Sequence, residues 1–466
     1  MPDTEDFNAK LFTKLYSKIA LALGVTSQNG APNAGEIDKE LVEIFEGRTP
    51  RRVALTYPGQ NPEYLLAIYN PGQYIPSTMD PEKSVDDRYS LSVLLDVVPQ
   101  FSWVFKQAAG TVSNNYRSIL EYKEPPLVSL DPETKKKLDE NIAIYDKYID
   151  SYDEYLEKYL VAFDNYEAAK ATWNNDPSKP VPTSLKMKLR KAEDDWIARG
   201  HKEAVESAVA VIATYEAMEP AAFWRKLEDR YKSGTQESSM SSEFQLVSYA
   251  PAYKDWFKDA GWTNFTFSQK DMDNQSRSET IGVAGNLDMT YGIFRIAGDG
   301  SYDKDTQYVK MDETELDFSC KLMRVSLDRR WMNPLLFWSR AWRWAPASPL
   351  YGTQFSSGGD IAGAQPPSGP MTVIPTAVIL SKSLKIVGKF DNTITEKMNS
   401  EIRANASVGI GPFSIAGQFA MKDHSESHRG TIAANGIEAP DVQIIALICE
   451  VLPKCPNPDN TLPWPQ

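Results

Sequence analysis

The feature that most constrains this chain is an alternating apolar and polar pattern that occurs twice in its C-terminal half, over residues 277–305 and 396–424. In the first copy Ile281, Val283, Leu287, Met289 and Tyr291 alternate with Thr280, Gly282, Asn286, Asp288 and Thr290, and residues 292–298 turn the chain back. In the second, Met398, Ile402, Ala404, Ala406, Val408 and Ile410 alternate with Lys397, Glu401, Arg403, Asn405 and Ser407, and residues 411–417 turn it again. A period of two over this length predicts strands with one apolar and one wet face. Such ribbons bury their faces against each other or present them to a lipid or a partner. Further strands are expected at 315–328 and 442–452, which follow the two copies, and at 377–390 before the second. The expectation is an antiparallel, sandwich-like β domain over 241–455 with a weak internal duplication.

A chain of 466 residues is too long for one compact core and predicts two or three domains. Its 42% hydrophobic, 24% charged and 11% aromatic content is that of a folded protein. A net charge of −13 argues against a nucleic-acid partner, because phosphate binding needs a concentrated basic surface. The start, Met1-Pro2-Asp3-Thr4-Glu5-Asp6, is acidic where a signal peptide needs a basic start and an apolar run. No apolar stretch approaches the ~18–20 residues of a membrane helix. These readings predict a soluble protein made in the cytoplasm without a signal peptide and, if exported, released by lysis or a dedicated machine. Cys320, Cys449 and Cys455 are too few for a disulfide framework and read as inert thiols.

Residues 1–126 read as a mostly helical platform. Thr4 caps a first helix with Phe7, Leu11, Leu15, Ile19 and Leu23 on one stripe. Helix is also expected near 37–45, from about Leu91, and over 103–122, with a short strand at 53–57. Residues 127–232 read as an antiparallel helical hairpin. Its outgoing arm carries Tyr145, Tyr148, Tyr152, Tyr155, Tyr159 and Tyr166 at spacings of three, four or their sum, which places the rings on one seam. Asp131 is its expected N-cap, and the 174–182 stretch, rich in Asn and Pro, stops it. A return helix from Ser184 carries Leu185, Leu189, Ala192, Trp196, Val205, Val209, Ile212 and Tyr215. A Ser/Gly-rich stretch, 233–240, reads as a linker, and 456–466 as a Pro-rich tail.

The stretch 328–344 concentrates Trp331, Trp338, Trp342 and Trp344 with Arg329, Arg330, Arg340 and Arg343. Indole offers area plus one donor and guanidinium stacks on it, so such a cluster suits a lipid boundary, a protein contact, a sugar face or a buried aromatic plug. The run Val325-Ser326-Leu327-Asp328-Arg329-Arg330-Trp331 resembles a strand end, Val-Ser-Ile/Leu-X-Arg-X-Trp, of a family of uncharacterised bacterial and fungal proteins. The resemblance implies a shared fold and brings no activity with it.

Catalytic signatures are sparse. There is no Gly-X-Ser-X-Gly elbow, phosphate loop, dinucleotide fingerprint or HEXXH. The three histidines are His201, His424 and His428. His424 and His428, spaced by four, are weak metal candidates beside Asp423 and Glu426, as are Asp299, Asp303 and Asp305 for calcium. No cofactor is expected. Two functions lead: a non-enzymatic, membrane-engaging, toxin-like pore former, and an assembly protein that associates through its helical hairpin. A hydrolase or carbohydrate binder using the tryptophans is the third. The residues expected at a membrane or partner contact are Trp331, Trp338, Trp342, Trp344, Arg340, Arg343, Tyr145, Tyr152, Tyr159 and Tyr166.

Overall fold

Val373–Val387 is a run of β-branched and aliphatic residues with only Lys382 and Lys385 charged, a composition that suits a strand covered on both faces. In the computed structural model it is the centre of an antiparallel sheet. The structure describes residues 15, 18, 19, 63–67, 73–99, 107–127, 132–175, 182–215, 220–268, 294–297, 307–309, 317–358, 367–388, 392–404, 406–421, 424–433 and 436–465. Among these residues the chain is an α+β protein with seven α-helices of eleven residues or more and two principal antiparallel sheets.

The strands of the two sheets are, in chain order, β1 (Glu63–Ala67), β2 (Gln73–Tyr74), β3 (Ser248–Ala250), β4 (Thr263–Phe267), β5 (Phe294–Ala297), β6 (Gln307–Val309), β7 (Asp317–Asp328), β8 (Val373–Val387), β9 (Ser407–Ile410), β10 (Phe413–Met421), β11 (His424–Arg429), β12 (Thr431–Ala433), β13 (Gly436–Ala439) and β14 (Gln443–Val451). The larger sheet has nine strands along the path β1-β14-β8-β7-β3; β2 adds to β14, β4 to β7, β13 to β8 and β12 to β13. The smaller runs β6-β5-β9-β10-β11.

Alternate residues of the central strands supply two different cores. Phe318, Cys320 and Leu322 of β7, Ala377 and Ile379 of β8, and Ile445 and Ile448 of β14 share one cluster with Val408, Ile410, Phe413 and Ile415 of the smaller sheet. From the opposite face Met323, Val325, Val378, Leu380, Ile444 and Leu447 meet Leu91, Leu94 and Leu95 of helix α1 (Val85–Leu95), with Tyr253 and Trp256. A third core holds Trp331, Phe337, Trp342 and Trp344 against Tyr116 and Ile119 of α2 (Val112–Tyr122) and Phe223, Trp224 and Leu227 of α6 (Pro220–Gly234).

Helix α3 (Pro132–Asn175) has 44 residues and spans about 65 Å. It packs along α4 (Thr183–Ala198) and α5 (Lys202–Tyr215). Tyr145, Tyr152, Tyr159 and Tyr166 recur every seven residues, and all four are buried in the shared core. Trp196 of α4 lies edge-on to Tyr152 at 5.4 Å and stacks on Tyr159 at 5.2 Å. Residues 184–215, expected as one return helix, are two. A Cβ at Gly200 would stand 2.5 Å from the Trp196 carbonyl oxygen and 3.1 Å from Tyr155 Cβ, and His201 follows with φ of 52°. The chain therefore turns there and restarts as α5.

Other expectations need correction. Residues 396–403, expected as strand, belong to helix α7 (Asn392–Arg403), where Met398 and Ile402 lie one turn apart and both face the core. The two copies of the alternating pattern meet in one sheet, with Phe294 opposite Ile410 and Ala297 opposite Ser407; the long strand of the first copy, 277–291, lies outside the described residues. The 233–240 stretch is no free linker. Helix α6 runs to Gly234, and Thr235–Glu237 pairs with Glu243–Gln245. Nor do residues 1–126 stand apart as a helical platform: β1 and β2 extend the larger sheet along β14, and Leu15 and Ile19 sit in its core. The helix expected over 103–122 begins at Val112, after the strand Gln107–Thr111. In the 456–466 tail, Pro463 accepts a hydrogen bond from the Leu127 N–H, and the Trp464 ring carries the Arg343 guanidinium at 5.1 Å. The elements expected at 37–45 and 53–57 lie outside the described residues.

One buried ion pair ties these layers together. Arg329, just past β7, donates to the carbonyls of Pro375 (2.6 Å) and Leu95 (2.9 Å), and its Nε lies 3.5 Å from the Asp96 carboxylate. Asp96 in turn accepts from the N–H and hydroxyl of Ser113 in the first turn of α2. Both side chains are almost fully enclosed, at 3% and 6% exposure. Removing one partner leaves the other charge buried and uncompensated, so Asp96→Ala is expected to destabilise the fold by about 3–5 kcal/mol. Asp96→Leu combined with Arg329→Met recovers most of that loss. Urea unfolding of the single and double variants checks both; an unchanged midpoint in the single variant contradicts this role.

Candidate functional site

The two sheets are joined by a polar cluster between otherwise apolar faces. Gln443 of β14 is 1% exposed, and its side-chain amide is matched to the backbone of one residue of β10: its Oε1 accepts from the Ser414 N–H at 2.5 Å and its Nε2 donates to the Ser414 carbonyl at 3.1 Å. The β9–β10 register is irregular between Val408 and Gly409, the point at which Ser414 makes these bonds. The Ser414 hydroxyl lies 2.8 Å from Nε2 of His428 on β11. The His428 ring stacks on Tyr74 of β2, with centroids 4.7 Å apart and planes 19° apart. Tyr74 donates to one oxygen of Glu426 at 3.4 Å, and Thr78 donates to the other. Tyr74 and Gln443 belong to the larger sheet; Ser414, Glu426 and His428 belong to the smaller.

The electrostatics of this latch follow from its burial. Enclosure disfavours the imidazolium and holds His428 down to about 4, although the Gly417 backbone offsets part of that. Burial, with Glu426 and Asp441 nearby, raises the Tyr74 hydroxyl to about 12. A serine bonded to a histidine invites comparison with a nucleophile and its base, but this pair does not suit catalysis. Ser414 is 1% and His428 5% exposed, so a substrate cannot reach the hydroxyl, and a histidine this acidic is a weak base at neutral pH. The arrangement suits a pH-sensitive joint between sheets.

The residues expected at a membrane or partner contact are mostly interior. Trp331, Trp342 and Trp344 are 2%, 0% and 3% exposed, and their indole N–H groups donate to the carbonyls of Leu246, Leu336 and Thr353. They form the aromatic plug, edge-on to Tyr116 and Trp224 and tilted against Phe355, so no bilayer or sugar touches them in this fold. Trp338 is half-buried against the same core. Arg343 pairs with Glu124 at 2.6 Å, and Arg340 is exposed near Asp459. Tyr145, Tyr152, Tyr159 and Tyr166 are spent on the seam between helices and are closed to a partner.

Of the metal candidates, His428 has Nε2 against Ser414, and His424 lies on β11 with its side chain outside the described set; Asp299, Asp303 and Asp305 also lie outside it. Among the described residues no group of three or more His, Cys, Asp or Glu side chains could hold a metal ion. Burial pushes Cys320 up to about 12 and raises Cys455 as well, which leaves both thiols inert.

Sequence reasoning did not find Gln443, Ser414 or Tyr74, which carry no motif. It also did not find that Asp328 and Arg330 line a cleft with Asp153 and Arg230.

Because the folded-state pKa of His428 lies below its unfolded value, the unfolded chain binds the proton first as pH falls. The contribution is complete above about pH 6.5 and is lost toward about pH 4, amounting to about 3 kcal/mol. Urea unfolding across this range is expected to show that loss, and His428→Gln, which does not titrate, to flatten it. An equally steep decline in the variant contradicts the assignment. No protein-family model, no curated protein and no solved structure matches this chain.

Proposed function

We propose that this protein engages membranes, and that residues 392–429 leave the larger sheet on acidification and refold as a β-hairpin in the target bilayer. The observation that carries this reading is the mismatch over residues 398–410. The sequence alternates with a period of two, yet its first part is folded as α7. Residues four apart share a face in a helix and in a strand, so Met398 and Ile402 satisfy either form. Drawn out as a strand, Met398, Ile402, Ala404, Ala406, Val408 and Ile410 form one apolar edge. Glu396 and Ser400 fall on the same face in this register, so the unbroken apolar face covers the nine residues of 402–410, the lower end of the ~9–11 that a membrane strand needs.

Two further features support the reading. The His428 latch joins this ribbon to the larger sheet and weakens with acid. With a pI near 5.0, the net charge of −13 that repels an anionic surface at neutral pH is neutralised over the same range. Among the described residues no helix is long and apolar enough to cross a membrane, so insertion would use strands. In this reading the two sheets form a sandwich that opens, the helical hairpin of 132–215 stays packed on itself, and self-association follows insertion.

Dye-loaded vesicles of phosphatidylcholine with phosphatidylglycerol test the proposal. Release is expected at about pH 5 with a discrete oligomer by mass photometry, with little release near pH 7, and His428→Gln should shift the release profile along the pH axis. Absence of release from neutral and anionic vesicles at every pH would overturn it.

A further inference from the structure

A cleft of about 180 Å³ opens where α3 and α6 cross the ends of β7 and β8. Leu156, Met332, Ile374 and Pro375 supply apolar wall, and the charged groups on the lining include Asp153 from α3, Arg230 from α6, and Asp328 and Arg330 at the end of β7. One cation is held by a tyrosine and the other by an ion pair at the solvent edge. Arg230 donates to the Tyr145 hydroxyl at 3.2 Å, and Arg330 reaches Asp328 at 3.2 Å while remaining 57% exposed. Arg329, also on the lining, is committed to Asp96 and two carbonyls. With Arg329 set aside, two guanidiniums and three carboxyls, the third being Glu450 of β14, therefore share one small concavity.

We propose that this cleft binds a small zwitterion, with its ammonium between Asp153 and Asp328 and its carboxylate or phosphate on Arg230 and Arg330. A simple anion would meet Asp328, and a simple cation would meet both arginines. A ligand carrying both charges on a short apolar body satisfies both pairs, and guanidinium suits oxyanions by its forked donors. The state of Asp153 fits an empty ammonium position. Burial first, then Asp328, hold its carboxyl up to about 8 against the opposing pull of Arg230 and Arg330, with Asp150 adding to the rise. Other ionisable groups near it are Tyr145 on its own helix and Glu450 of β14. An arriving ammonium displaces the proton of Asp153, so one positive charge enters as one proton leaves. Affinity therefore rises with pH up to about 8 and levels off above it. This site does not depend on the membrane reading.

Titration calorimetry of the full chain with β-alanine, glycine and phosphoethanolamine, at about pH 6.5 and about pH 8.5 in buffers of different ionisation heat, tests it. Saturable one-to-one binding by at least one probe is expected, at least about tenfold tighter at the higher pH, with roughly one proton released at the lower. Arg330→Gln, at an exposed position, is expected to weaken binding about tenfold with an unchanged thermal midpoint. Asp153→Asn removes the pH dependence and the proton release, and Arg340→Gln, outside the cleft, changes nothing. Phosphatidylethanolamine vesicles separate a lipid headgroup from a free ligand: binding to vesicles as well as to phosphoethanolamine assigns the headgroup, and binding to soluble probes alone assigns a free zwitterion. No saturable binding at millimolar concentration with any probe, or binding indifferent to both Arg330→Gln and Asp153→Asn, overturns the proposal. Vesicle leakage has a separate readout, so failure of one reading leaves the other to its own test.

Discussion

The buried pair of Arg329 and Asp96 is the constraint on which the rest of this structure depends. A guanidinium with 3% exposure needs compensation, and here two backbone carbonyls accept from its terminal nitrogens while a carboxylate 3.5 Å from Nε balances its charge. Those partners come from the end of α1, from β8 and from the residue that anchors the first turn of α2, so satisfying one charge fixes the position of two helices on the sheet. Its chain neighbours then have set directions. Asp328 and Arg330 turn to the cleft under α3, and Trp331 enters the aromatic core between α2 and α6.

A second consequence follows from the double coverage of the central strands. Because β7, β8 and β14 each supply buried residues to two cores, one core requires the helical layer and the other requires the smaller sheet. The helical side is joined by large apolar side chains and the buried ion pair. The contact with the smaller sheet includes the polar joint of Gln443, Ser414, His428 and Tyr74, in which burial holds the histidine down to about 4.

Much of the architecture was legible from periodicity. The strand at Asp317–Asp328 declares itself by apolar residues interspersed with polar ones, those at Val373–Val387 and Gln443–Val451 by their β-branched and aliphatic majority, and the heptad spacing of Tyr145, Tyr152, Tyr159 and Tyr166 marks the seam of α3. Where reading failed, two local rules competed. Met398 and Ile402 fit a helix and a strand equally, and the neighbouring Lys397, Asn399, Glu401 and Arg403 are solvated in both, so only tertiary contact selects the helix. The break at Gly200 depends on the bulk of Trp196 and Tyr155, which spacing does not reveal. The tryptophans fit a surface or a plug by composition alone, and burial decides for the plug. The functional joint was the least legible part, since Ser414 and Gln443 are polar residues within apolar strands and are brought together by sheets 29 residues apart in the chain.

In the proposed mechanism residues 392–429 form a separable unit whose attachment depends on the His428 joint. Hydrogen exchange followed by mass spectrometry, at about pH 7 and about pH 5 with rates corrected for intrinsic pH dependence, measures this directly. Peptides covering α7, β10 and β11 are expected to lose protection at the lower pH while those covering β8 and β14 keep theirs. Protection that stays uniform, or that falls together in all five elements, would contradict it.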